Sequence, residues 1–574
     1  MELARARVIC RAWSESVAQP RRGDLAALFA RRAIEAFAEE ATPNLQLSGP
    51  FVKPYGRLDK AADQLALTIG RDAASLPLVE GLHFVTSLYA ALLPQTSRSA
   101  LGAFYTPPAL AKRLIELASE QGVNWKTARI IDPAAGAGAL LLQAVLQVRQ
   151  SMSDCEPAFV LSQIGNRIVG LEIDPHAAGL AQAALEVALA DLAVASGRSI
   201  PIIIRVCDTL DEPPNANFDL VVGNPPYGRV ALTAEQRQRY ARSLYGHANL
   251  YGVFTDAALR WANADGIIAY LTPTSFLAGQ YYAALRGLLA KESPPVAIDF
   301  VHARRGVFED VLQETLLAVY RKGRVGERAQ IHYLRVTNER EASVTRNGTI
   351  GLPEDASGPW LAPRSPEHSP LINAVEQMPA RLADWGYSVS TGPLVWNRFK
   401  SQLRDKASGS DVHPLIWAES VTPDGAFLFR ALKRNHAPYF KLQKGDGWLL
   451  VEEPCVLVQR TTAKEQPRRL IAAELPAEFV KEHGGVVVEN HLNMVRATED
   501  AKVPAAVVAA ILNSRVADNV FRCMSGSVAV SAFELEALPL PAIKDLKELK
   551  RLISKKADRE KIEVECCRLY GEKF

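Results

Sequence analysis

The chain has 574 residues, of which 48% are hydrophobic and 22% charged. These are the proportions of an ordinary globular protein and exclude a fibrous or intrinsically disordered chain; at about 150 residues per domain the length accommodates two or three domains. Sixty-six Lys and Arg against 63 Asp and Glu leave a net charge of +3, which neither announces nor forbids a polyanionic partner.

The seven cysteines, at 10, 155, 207, 455, 523, 566 and 567, form no Cys-x-x-Cys pair and accompany no His cluster. Neither a disulfide framework nor a structural zinc site is indicated, and a reducing cytosol fits. The N-terminus lacks a basic region followed by an apolar core, and the most apolar helical stretch, about 177–195, is interrupted by Glu186 and Asp191. The expectation is a cytoplasmic protein without export signal or membrane span.

Residues 23–40 and 76–93 carry apolar side chains at helical spacing, so residues 1–98 are expected to form a helical N-terminal segment. From about 100 to 325 short β-branched runs alternate with helical stretches: ARIIDPA, GALLLQAVLQVR, RIVGLEI, HAAGLAQAALEVALADLAV, IIIRVCD, FDLVVGNPPY and GIIAYLTP. Such alternation predicts a doubly wound, mostly parallel α/β sheet. The Pro- and Ser-rich stretch 357–370 is expected to be a linker. Beyond it, in 371–574, periodicity chooses no class, and a mixed α+β domain is expected.

The turn Asp132-Pro133-Ala134-Ala135-Gly136-Ala137-Gly138 lies between a strand-like and a helix-like run. Small residues there let backbone approach a nucleotide-like cofactor at a strand's carboxyl end, although a plain tight connection between strand and helix has the same composition. The next strand ends in Glu172, whose carboxylate can accept both hydroxyls of a ribose, and the third in Asp208, which can meet an adenine amino group. Either acid alone also suits a solvated strand end. A fourth strand delivers Asn224-Pro225-Pro226-Tyr227 to the same sheet edge. Two prolines fix φ and hold the preceding residues extended, so the Asn224 side-chain oxygen and the Pro225 carbonyl can converge on one NH2 group. An amine conjugated to a heteroaromatic ring is a poor nucleophile; acceptors on both N–H bonds push it towards sp3 and aim its lone pair. Tyr227 can stack on the ring. A rigid strand-terminating turn is the structural alternative.

With these residues in hand, FDLVVGNPPY after DPAAGAG and GLEIDP resembles the S-adenosylmethionine-dependent amino-methyltransferases. The motif order is similar to the gamma class of N6-adenine DNA methyltransferases of restriction–modification systems. The resemblance covers about 100–325 and includes Gly102-Ala103-Phe104-Tyr105-Thr106-Pro107-Pro108, Asn249-Leu250-Tyr251-Gly252-Val253-Phe254, the run Gly266 to Pro273, and Gly306-Val307-Phe308-Glu309. It implies a class I methyltransferase-type catalytic domain over 99–356 with S-adenosylmethionine as cofactor. Tyr105, Thr106, Pro107 and Asp132 would face its methionine part, Glu172 its ribose and Asp208 its adenine, with Ala134, Gly136, Gly138, Ile173 and Asn224 completing the set. Asn224, Pro225, Pro226 and Tyr227 would be catalytic, Phe308 would pack on a flipped target base, and no metal would be required. Asn at 224 favours adenine N6 over cytosine N4.

Between Trp396 and Arg469 there are 13 Lys or Arg against 8 Asp or Glu, interleaved with Trp396, Phe399, Trp417, Phe427, Phe429, Tyr439, Phe440 and Trp448. That composition suits a nucleic-acid surface and equally a solvated face over an ordinary core. WNRFK at 396–400 and the stretch 511–541 resemble target-recognition domains of this family. The expectation is a monomeric, site-specific adenine methyltransferase acting on double-stranded DNA, with a separate cognate restriction endonuclease as a further partner. The rivals are a protein glutamine-amide methyltransferase and a catalytically silent DNA-recognition protein. The N-terminal 100 residues hold no convincing nuclease arrangement.

Overall fold

Four of the β-branched runs, Ile130–Asp132, Ile168–Glu172, Ile204–Val206 and Phe218–Gly223, are strands β1 to β4 in the computed structural model of the protein. The structure describes residues 3–572 except 18–20, 102–105, 214, 216, 304–313, 325, 327, 410, 462–467 and 526–528. Ala262–Pro273 is β5, and the sheet continues through β6 (Pro295–Ala303), β7 (Thr315–Arg321), β8 (Ala329–Val336) and β9 (Ala342–Ile350). Its order is β3-β2-β1-β4-β5-β7-β6-β8-β9. Pairs β1–β2, β1–β4, β2–β3, β4–β5 and β6–β8 are parallel, and β5–β7, β6–β7 and β8–β9 antiparallel. The mostly parallel, doubly wound sheet therefore holds, with an antiparallel half that the alternation of strands and helices did not announce. Strand order runs outwards in both directions from β1, so a crevice opens at the carboxyl ends of β1 and β4.

Helices α1 (Leu3–Ser16), α2 (Arg22–Ala41), α3 (Lys60–Ala74), α4 (Leu78–Leu92) and α5 (Gln95–Leu101) bear out the helical reading of the N-terminal residues. They are followed by α6 (Pro108–Glu120), α7 (Ala139–Ser151), α8 (Pro157–Arg167) and α9 (Pro175–Ser196) around the first strands. Then come α10 (Ala234–Arg239), α11 (Leu250–Trp261) and α12 (Ala283–Glu292). The N-terminal helices are one layer of the methyltransferase-like unit, because α2 and α4 pack directly on α9 and share its core. This explains α9 itself. It is 22 residues long and apolar enough to cross a membrane, yet 78% of that apolar window is buried inside the unit. A helix that is apolar all round is one covered all round.

The chain divides into two compact units, Met1–Pro273 with Ala284–Leu352, and Thr274–Ala283 with Pro353–Phe574. Residues 357–370, expected as a linker, belong to the second unit. Trp360 within them is fully buried, donates its backbone N–H to the Leu277 carbonyl at 2.7 Å and packs edge-on against Phe276. Proline and serine gave the stretch a linker's composition, but one tryptophan anchors it. The second unit contains a four-stranded antiparallel sheet, in spatial order Tyr387–Thr391, Leu492–Ala497, Val456–Gln459 and Ala472–Glu474. A five-stranded sheet runs Leu403–Arg404, Tyr439–Lys441, Val412–Ile416, Val486–Val488 and Leu450–Val451. With its helices this is the mixed α+β class expected.

The crossing of α2 and α3 depends on Gly70, where an added Cβ would lie 2.2 Å from the Ala33 carbonyl oxygen. Gly70→Ala should therefore lower stability by about 1–3 kcal/mol, as overpacking does. Gly49→Ala, with nothing within 4 Å, should leave it unchanged. Denaturant unfolding of both variants checks this, and equal midpoints would refute the close crossing.

Candidate functional site

β1 ends at Asp132, whose side chain is 1% exposed and accepts the Ala134 N–H at Oδ1, 3.0 Å. The turn that follows requires glycine. Gly136 and Gly138 have φ of 53° and 85°, and a Cβ on Gly138 would lie 3.1 Å from Ala181 of α9. Glu172 at the end of β2 reaches back to this turn, accepting the Gly136 N–H at 2.7 Å with one carboxylate oxygen and the Asp174 N–H at 2.9 Å with the other. Each oxygen keeps a second lone pair. Asp208 accepts the Leu210 N–H at 2.9 Å, and the Thr209 hydroxyl donates to the Pro133 carbonyl at 2.5 Å, tying the loop after β3 to the turn after β1.

At β4 the Asn224 Nδ2 donates to the Thr106 hydroxyl at 3.1 Å, and its Oδ1 accepts from the Tyr227 hydroxyl at 2.9 Å. These two contacts hold the amide plane from both ends, with its oxygen towards Tyr227. Tyr227 also approaches the Leu271 carbonyl at 3.3 Å, and its ring meets Tyr251 edge-on. Burial pushes the Tyr227 phenol up, so it stays protonated and remains a donor. Gly223 brings β4 against β1, since a Cβ there would sit 3.4 Å from Asp132 Oδ1 and 3.0 Å from the Tyr270 ring.

These groups surround a cavity of about 480 Å³, a size typical of cofactor sites. Of the expected residues, Thr106, Asp132, Ala134, Gly136, Glu172, Ile173, Asp208, Asn224 and Pro226 line it. Gly138, Pro225 and Tyr227 do not. Gly138 shapes the turn, and the Tyr227 hydroxyl donates to Asn224. Pro107 is the residue before α6 and is buried outside the lining. Tyr105 and Phe308 lie outside the described residues. Sequence reasoning missed His83 and Thr86 of α4, and Thr209, which also line the cavity.

Burial is the dominant influence on the two acids. It pushes Asp132 up to about 8, opposed by the Ala134 N–H, and raises Glu172 while the Asp174 and Gly136 amides lower it. A buried acid with a raised pKa in a cavity marks a place where a cationic ligand group gains most. An ammonium is such a group, and Glu172 retains acceptor capacity for ligand hydroxyls.

In the second unit the aromatics of 396–469 are mostly core. Trp417 and Phe440 are fully buried, Trp396 and Phe399 pack on them, and Phe427 and Phe429 pack on Phe479. Trp448 remains 62% exposed. Arg398, Lys400, Lys406, Lys433, Arg434, Lys441 and Lys444 are exposed. All seven cysteines are free, and the described residues contain no cluster able to hold a metal.

Residues 166–308 match the Eco57I restriction-modification methylase family. The type II methyltransferase M.BsuBI of Bacillus subtilis is 25% identical over 463 residues, covering 78% of this chain and 88% of that one. M.TthHB8I of Thermus thermophilus is 30% identical over 212 residues, 35% of this chain and 41% of that one. Among solved structures, the type IIL restriction-modification enzyme MmeI in complex with DNA shares the fold at a TM-score of 0.52 and 14% identity, covering 98% of this chain and 90% of that one. The fold and these matches support an S-adenosylmethionine-dependent methyltransferase of the kind found in restriction–modification systems.

Asp132 gives the site a pH signature. Its folded pKa of about 8 lies above the ordinary 3.8, so its contribution is fully favourable below about 4 and is lost as pH rises to about 8. Asp132→Asn, which keeps the acceptor for Ala134, should melt higher than the parent at about pH 9 and show a smaller advantage at about pH 5. Its affinity for S-adenosylmethionine should fall. Parallel pH profiles of melting temperature in the two proteins would refute the assignment.

Proposed function

We propose that the protein methylates N6 of a flipped-out adenine at a specific sequence in double-stranded DNA. In this reading it acts in the cytoplasm as a monomer, and as the modification enzyme paired with a separate cognate restriction endonuclease. The observation that carries the proposal is the orientation of the Asn224 amide. Thr106 takes its N–H and Tyr227 donates to its Oδ1, so the oxygen is the acceptor end, and the neighbouring Pro225 carbonyl accepts no backbone hydrogen bond among the described residues. Two acceptors on the extended Asn224-Pro225-Pro226 segment are what an exocyclic amine needs to lose its conjugation and present its lone pair.

S-adenosylmethionine supplies a methyl group on a positively charged sulfur, a sufficient electrophile without a metal. The chain's task is to hold the amine and keep both acceptors oriented. Tyr227 and Thr106 fix the Asn224 amide from opposite ends, and buried Pro225 fixes the backbone. Phe308 is proposed to pack on the extruded base, and the second unit to read the sequence through exposed residues such as Lys433, Arg434 and Trp448. A glutamine amide would also offer an NH2 group to the clamp. The exposed basic residues of the second unit, and a type II methyltransferase relative matching over 463 residues, favour DNA.

Incubating the purified protein with labelled S-adenosylmethionine and genomic DNA, followed by nucleoside analysis, tests the reading. N6-methyldeoxyadenosine is expected; N4-methyldeoxycytidine would overturn the base assignment, and no transfer to DNA the activity itself. Asn224→Ala should lower turnover by about a hundredfold or more with cofactor affinity preserved, as loss of a preorganised partner does. Replacing Lys433 and Arg434 together by Ala should flatten the salt dependence of DNA binding, by about 0.9 in log–log slope for each phosphate that is no longer neutralised. A slope equal to the parent's would remove those two residues from the interface.

A further inference from the structure

We infer that α4, in the N-terminal helical layer, is a cofactor-binding element whose His83 and Thr86 hold the amino-acid end of S-adenosylmethionine. Both residues line the cavity. They also line a small adjoining cleft with Pro108, Ala137 and Ala139, at the glycine turn and the start of α7. None of the residues after β3 takes part in that cleft. Ala137 and Ala139 follow Asp132 in the turn after β1 and at the start of α7, so the α4 side chains stand at that end of the cavity, while Asp208 and Glu172 are the proposed adenine and ribose acids.

The chemistry at that end is incomplete without them. An amino acid terminus brings a carboxylate, which needs donors, and an ammonium, which needs acceptors. The glycine turn has spent most of its donors: the Ala134, Ala135, Gly136 and Gly138 amides bond to Asp132, Leu171, Glu172 and Ala135 respectively. The His83 imidazole has no hydrogen-bond or ion-pair partner among the described residues, while its charged neighbours Arg7 and Glu339 pair with each other at 2.6 Å. Burial pushes its imidazole down to about 4, so it is neutral and offers one ring N–H. Thr86 donates its hydroxyl proton to the Leu82 carbonyl at 2.9 Å, so towards the cavity it can only accept. His83 thus suits the carboxylate, and Thr86, with Asp132, the ammonium.

α4 is also held in register with the ribose acid. The Tyr89 hydroxyl donates to Asp174 Oδ2 at 2.8 Å, and the Asp174 N–H donates to Glu172 Oε1 at 2.9 Å. The inference rests on the cofactor assignment and not on which base is methylated.

Calorimetric titration of the full chain with S-adenosylhomocysteine and with 5′-methylthioadenosine, which lacks the amino-acid end, separates the outcomes. His83→Ala should weaken S-adenosylhomocysteine by about tenfold or more, the value of a hydrogen bond to a charged group, and leave methylthioadenosine within about twofold. His83→Gln, which restores an N–H donor, should recover most of the loss. If the alanine variant melts early, His83→Phe takes its place with the same expected split. Unchanged S-adenosylhomocysteine affinity, or an equal loss for both ligands, would overturn the inference. A parent protein that bound neither would overturn the cofactor assignment beneath it.

Discussion

The site depends on one carboxylate. Glu172 at the end of β2 accepts an amide from the turn after β1 with one oxygen and an amide from its own loop with the other. A partly buried charged acceptor held by two N–H groups makes stronger bonds than a neutral one, each contributing about 1.5–3 kcal/mol. Because one of those amides belongs to Gly136 and the other to Asp174, the acid fixes the spacing of two strand ends. Asp174 in turn caps α9 and takes the Tyr89 hydroxyl, so the same bond network reaches the N-terminal helices. The cavity wall, its floor and the helical layer around it therefore share a single electrostatic anchor.

A second network orients the proposed clamp independently of the first. Thr106, Asn224, Tyr227 and the Leu271 carbonyl form a chain of hydrogen bonds across β4 and β5. A lone primary amide turns freely about its last side-chain torsion, and hydroxyl partners at both ends hold its plane. Prolines on the backbone and hydrogen bonds on the side chain restrict different degrees of freedom of the same residue. Preorganisation of this kind is what electrostatic catalysis requires, since acceptors that must first reorient add their own cost to the barrier.

The first four strands were legible because each combines a β-branched run with a sharp end: Asp132, Glu172, Asp208 and Asn224 all end or follow such runs. The cofactor acids came with them, and nine expected residues do line one cavity. The antiparallel strands β6 to β9 were not legible, because hairpin returns leave no acid or glycine signature at the sheet edge. His83 and Thr86 escaped for a different reason. They sit inside an amphipathic helix whose periodicity accounts for every residue, and proximity to α7 is a tertiary fact. In the second unit composition misled: Trp417 and Phe440 are core, because aromatic residues near lysines serve packing as readily as binding. Trp360 shows the same effect in reverse, an anchor hidden in a linker's composition.

Residues 274–283 leave the first unit directly after β5, join the second, and return before the body of α12. The backbone therefore passes between the units three times, at 273/274, 283/284 and 352/353. A unit joined by one covalent junction can be exchanged between proteins by a single cut; this one cannot. Transplanting the second unit into a relative would require the ten-residue excursion to travel with it. Its Leu277 receives the Trp360 amide and its Phe276 the Trp360 ring. Replacement of the whole unit by simple C-terminal fusion is thus closed to this architecture, and change of its surface comes by drift of single residues within it.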